Sequence, residues 1–148
     1  MSSALEGPCH ISQWTPEFTR KMVKSSLGGE VYALSEMVDH ALLLKDCYGP
    51  FGGINPGAVG LEGCESLSSH LKTKKMITEK YSVRHFLSIQ RALEEGDLEK
   101  AYWLPGTENP AGGLTRVRSD MVPLLRLLGS GGFRPDQLRT LRGVAWKE

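Results

Sequence analysis

From Leu27 onward the apolar residues fall into a helical rhythm. Leu27, Val31, Leu34, Val38, Ala41 and Leu42, with Lys45 at the far end, recur at spacings that place them on one face of a helix. Ser26 can cap this helix, and Gly28 and Gly29 weaken its first turn by on the order of 1 kcal/mol each. Gly49-Pro50 is expected to stop it. A second helical pattern covers residues 78–95. There Val83, Phe86, Leu87, Ile89 and Leu93 share one side, Thr78 stands at the cap position and Gly96 at the end.

Between and around these helices the pattern is shorter. His10–Trp14 alternates apolar with polar and predicts a strand ended by Pro16; the stretch EFTRKMVKSS after it predicts a loop or a second short strand. Ala58–Leu61 is a short apolar run that suits a buried strand, and ESLSSHLK suits a short helix. KAYWLP predicts a strand stopped by Pro105, and SDMVPLLRLLGSGG a short helix that tolerates Pro123 only in its first turn. The tail RPDQLRTLRGVAWKE is basic and is expected to be loosely docked. The predicted order is strand, helix, strand, helix, helix, strand, helix. That alternation places the chain in the α/β class with at least one parallel strand pair.

Composition narrows the setting. A chain of 148 residues has room for one domain with one core, and 40% hydrophobic with 24% charged residues suits a folded chain. A formal net charge of +1 gives no global field toward nucleic acid or membrane. Cys9, Cys47 and Cys64 have no metal-ligand spacing, and an odd count argues against a disulfide framework. They are expected to be free thiols in a reducing compartment. No secretory signal and no apolar run of roughly 20 residues is visible, so an intracellular setting, cytoplasmic or nuclear, is expected.

Few residues announce chemistry singly. Glu30, near the start of the first helix, has the ordinary explanation of an acid favoured by the helix dipole. His40, His70 and His85 share no ligand spacing, and Trp14, Trp103 and Trp146 suit packing. Lys72, Lys74 and Lys75 make either a solvated turn or a phosphate contact. The stretch NPAGGLTR at 109–116 has two explanations. Asn-Pro with two glycines is a legitimate loop, or Gly112 stands where a functional side chain has been lost.

Taken together the segments say more. KSSLGGEVYALSE (Lys24–Glu36), GCESL (Gly63–Leu67) and EKYSVRHFLSIQRALEEGDLEKAYWLPGTENPAGGLTR (Glu79–Arg116) resemble, in order and spacing, one family. It is the ribonuclease H-like segment at the C-terminal end of the Pol polyprotein of copia-type LTR retrotransposons. The resemblance runs from about His10 to about Leu128 and is most specific in the SVRHFLSIQRALEEGDLEKAYWLPGTENPA block. It implies a domain over residues 9–118, a lead at 1–8, and a C-terminal helix and basic tail at 119–148. The implied fold is a partial ribonuclease H-like α/β fold: a mixed sheet lacking its first strands, packed by helices.

The family cuts the RNA strand of an RNA–DNA hybrid, using acids that converge on two Mg²⁺ ions about 3.5–4 Å apart. Carried over residue by residue, the helix glutamate of the family falls on Glu30. The aspartate at the end of the next strand falls on Gly63, flanked by Glu62 and Glu65, and the final aspartate falls on Gly112. The first aspartate belongs to a strand upstream of this segment. In a strand, Glu62 points to the face opposite residue 63, so it is not expected to substitute; Asp97 and Asp120 lack the motif position. The resemblance therefore implies a degenerate segment, inactive as this chain, with no cofactor of its own although the family uses Mg²⁺.

For nucleic acid, the expected contacts are Lys72, Lys74, Lys75 and Arg84. The expected partners are an RNA–DNA hybrid or the rest of the Pol polyprotein, with no membrane and no small-molecule substrate. Two other readings stay open: a retained nucleic-acid or protein-binding module, and a nuclease completed by an upstream segment or a partner chain.

Overall fold

The computed structural model of the chain describes residues 7–9, 11, 13, 24–53, 56–115, 118–134 and 139–140. These carry five helices and two small sheets, a mixed α/β arrangement. The chain divides into two compact units, one from Met1–Phe18 with Leu104–Leu138, the other from Thr19–Trp103 with Arg139–Glu148.

The larger unit begins with helix α1, Ser26–Gly52. Its N-cap is Ser25, not Ser26: Ser25 is extended, and its hydroxyl accepts from the Gly28 amide at 3.0 Å. The helix also runs past Gly49-Pro50, where the sequence predicted a stop. Helical backbone before a proline is disfavoured mainly by the clash of the preceding Cβ with the ring, and Gly49 has no Cβ. Pro50 brings no amide donor for the carbonyl four residues before it, and the helix ends within three residues, at the left-handed Gly53.

Strand β2, Val59–Glu62, follows, then α2, Glu65–Thr73, and α3, Lys80–Glu95. The N-cap of α3 is Glu79, with no side-chain cap bond, so the expected cap at Thr78 is replaced. The buried stripe of α3 is Ser82, Phe86, Ile89, Ala92 and Leu93. Leu87, expected on the apolar side, lies about 100° around the helix from Phe86 and is exposed. Strand β3, Lys100–Trp103, pairs parallel to β2 with Glu62 opposite Trp103. On its other side β3 pairs antiparallel with β5, Arg139–Thr140. The expected parallel pair is therefore present.

The core of this unit joins α1, β2, α2, α3 and β3. Val31, Leu34, Leu67, Leu71, Phe86, Ile89 and Leu98 are its most deeply buried side chains. Each contributes about 1.5–3 kcal/mol by leaving water. α1 lies along α3, where the Tyr32 ring meets His85 edge-on at 5.1 Å and His85 Nδ1 sits 3.3 Å from the buried Ser35 hydroxyl.

The smaller unit holds β1, Gly7–Pro8, paired antiparallel with β4, Gly132–Phe133, together with α4, Gly112–Thr115, and α5, Val122–Ser130. Asp120 accepts from the Val122 amide at 2.9 Å just ahead of α5, whose N-cap is Met121, and Pro123 stands in its first turn as expected. The strand expected at His10–Trp14 falls mostly outside the described residues. Ile11 and Gln13 are outside any strand, and residues 10, 12 and 14 lie outside the described residues. Residues 17–23, Trp146 and the tail beyond Thr140 also lie outside them.

Candidate functional site

Two carboxylates come within electrostatic reach of each other where α1 passes β2. The burial of β2 alternates, with Gly60 and Glu62 turned inward and Val59 and Leu61 half-buried. A Cβ built on Gly60 would lie 3.7 Å from Leu34 Cδ1, so this face of β2 looks onto α1. Two residues along a strand advance about 6.6 Å, and four along a helix about 6 Å. Glu62, two residues after Gly60, therefore falls level with Glu30, one turn before Leu34. The two carboxylates are close enough for like-charge repulsion.

Glu62 is the more perturbed. It is 7% exposed, and burial pushes its carboxyl up from 4.5 to about 7. The Cys64 amide, donating to Oε1 at 2.8 Å, and the Gly63 amide oppose this shift, while Glu30 adds to it. Near neutral pH the Glu62 carboxyl is therefore held partly protonated by its burial. Glu30 itself is half-buried in the first turns of α1.

The structure places Glu62 on the face of β2 opposite Gly63. The alternation argument holds, since Gly63 is exposed and Glu62 is buried. What it missed is that the inward face of β2 is the one that meets α1. Hydropathy gave no signal for this, because the apolar residues Val59 and Leu61 are on the other face. Glu65 opens α2 and is exposed.

Gly112 belongs to the smaller unit and opens α4. Its φ is not positive, and a Cβ there would meet only Ser119 Cβ at 3.9 Å. The backbone therefore does not demand glycine at 112. Gly113 differs: a Cβ there would press on Leu124 at 3.0 Å and on Met121 Sδ at 3.2 Å. Of the two glycines, packing fixes the second and leaves the first free.

The expected nucleic-acid contacts do not form one patch. Lys72 and Lys75 are exposed around the end of α2. Lys74, in left-handed backbone at φ 53°, pairs with Glu94 at 3.6 Å near the C-terminal end of α3. Arg84 is exposed near the other end of α3, about 15 Å along the axis from Glu94. Among the described residues no three His, Cys, Asp or Glu side chains lie together as a metal site, and no helix is long and apolar enough to cross a membrane.

Comparison with known protein families finds no match for this chain, and comparisons with curated proteins and with solved structures also find none.

Proposed function

We propose that this chain is a degenerate ribonuclease H-like segment of a copia-type retrotransposon Pol polyprotein, without nuclease activity of its own. One observation carries the reading: Glu30 on α1 is within electrostatic reach of Glu62, an acid at the C-terminal end of β2, beside a parallel β2–β3 pair. That is the arrangement the resemblance implies for the family's helix and strand acids, here with Glu62 one residue ahead of the aligned Gly63. The free space at Gly112 adds support, because a lost aspartate leaves such a position.

The donor set does not fit two Mg²⁺ ions. Two dications need several ionised carboxylates to offset their mutual repulsion. Here Glu62 is buried and half protonated near neutral pH, and Gly63 and Gly112 have no side chain to offer.

The test is Mg²⁺-dependent cleavage of an RNA–DNA hybrid by the chain as it stands. No cleavage is expected, and a rate abolished by Glu30→Gln would refute the loss of activity. A second arm tests the family. Gly63→Asp with Gly112→Asp, in a chain extended upstream by a family first strand with its aspartate, should gain cleavage. Either single change should restore far less, because such acids act as a unit. Failure of the double change to cut, with the fold intact, would count against the ribonuclease H-like reading.

A further inference from the structure

We propose that the chain self-associates through the outer face of the second half of α1, as an antiparallel pair of α1 helices centred on Leu44. The inference is independent of the nuclease reading and rests on the shape of α1. Val38 is the last residue of this helix that is buried, yet the helix continues to Gly52. The remaining 14 residues extend about 21 Å beyond Val38.

That extension is not polar. Met37, Leu44 and Phe51 recur at intervals of seven, with Leu43, Cys47 and Tyr48 beside them. Such spacing makes a seam suited to a second helix. Met37 is 45% exposed, Leu43 62%, Tyr48 61% and Phe51 90%, while Leu44 is half-buried. These four exposed side chains leave roughly 600 Å² open on one copy. A pair of copies has at most roughly 1,200 Å² of this surface to cover, on the scale of the roughly 1,000 Å² that a specific interface needs.

The pattern chooses the occupant and the direction. With Leu44 on a two-fold axis, Met37 faces Phe51 and His40 faces Tyr48, so large meets smaller along the seam. Asp39 and Asp46 lie about 140° and 160° around the helix from Leu44, away from the seam, and Glu36 at its edge then falls level with Gly52, so no acid meets an acid. A parallel pair would set Glu36 level with its own copy and align the two helix dipoles. A two-fold pair also closes on itself.

The test uses the full chain in sedimentation equilibrium across about 1–200 µM, a range that brackets micromolar association. A concentration-dependent dimer is expected. Phe51→Glu, at a side chain almost wholly in water, should leave the melting temperature within error and raise the dimer Kd at least about tenfold. Leu44→Cys should form an interchain disulfide at residue 44 on mild oxidation. Native Cys47 should not link to Cys47, since the two lie about 9 Å apart along the axis, beyond disulfide reach. A monomer at all concentrations, or a dimer indifferent to Phe51→Glu, overturns the proposal. A Cys47–Cys47 link in its native chain overturns the antiparallel pairing.

Discussion

At the scale of single residues, Glu62 has the largest consequence for stability. Its carboxyl titrates near 7 when folded and near 4.5 when unfolded, so between these values the folded chain binds more protons. Stability therefore is greatest below about pH 4.5 as far as this group is concerned, and falls as pH rises through 7. The loss is on the order of 3 kcal/mol. Glu62→Gln keeps the shape without the charge. It should raise the melting temperature at pH 8 and flatten the pH dependence between 5 and 8, as followed by thermal unfolding across pH. An unchanged slope would mean that the carboxylate is hydrated in the folded chain. Ser68 offers a second check: its hydroxyl is buried in α2 with no hydrogen-bond partner among the described residues. Ser68→Ala should stabilise by about 1 kcal/mol in denaturant unfolding, because it removes an unmet polar group. Gly112→Asp should change stability by less than about 0.5 kcal/mol, whereas Gly113→Asp should destabilise clearly through Leu124.

At the scale of elements, α1 and α3 are tied at their starts by one carboxylate. Glu79 accepts from the Lys24 amide at 2.7 Å and from the Ser25 hydroxyl at 2.6 Å, which hold its carboxyl below the usual range. A Cβ on Gly28 would collide with that carboxylate and come within 2.8 Å of the Ser82 hydroxyl. Gly28→Ala should therefore lower the melting temperature, although alanine is the better helix former in isolation. Ser25→Ala should cost about 1 kcal/mol through the lost cap. The two long helices and the β2–β3 pair were legible because their periods are long and regular. The bridge through Glu79 was not, since it joins residues more than fifty positions apart, and the cap fell one residue earlier than Ser26, at Ser25. The run of α1 past Pro50 was hidden by a stop signal that Gly49 disarms. Of the candidate site, Glu30 stood out in the sequence as an acid near the start of a long helix. Glu62 did not, because only the docking of β2 on α1 reveals which strand face is inward.

For the molecule as a whole, buried apolar residues are unevenly shared. The core cluster from Val31 to Ala101 lies wholly in the larger unit, while α4 and α5 bury little beyond Pro123 and Leu124. Native-state hydrogen exchange should find its slowest amides in Val31–Val38 and in α3, and faster exchange in α5. Equal protection in α5 would mean that its exposed Val122, Leu125 and Leu128 are covered in solution. The bridge at Glu79 also sets an order of events in time. Its bond to Ser25 joins residues 54 apart, so the chain must close a long loop before that bond can form. The first turn of α1 then locks only once α3 has arrived. Changes at Glu79 should speed unfolding and leave the refolding rate nearly untouched, with a φ-value near zero.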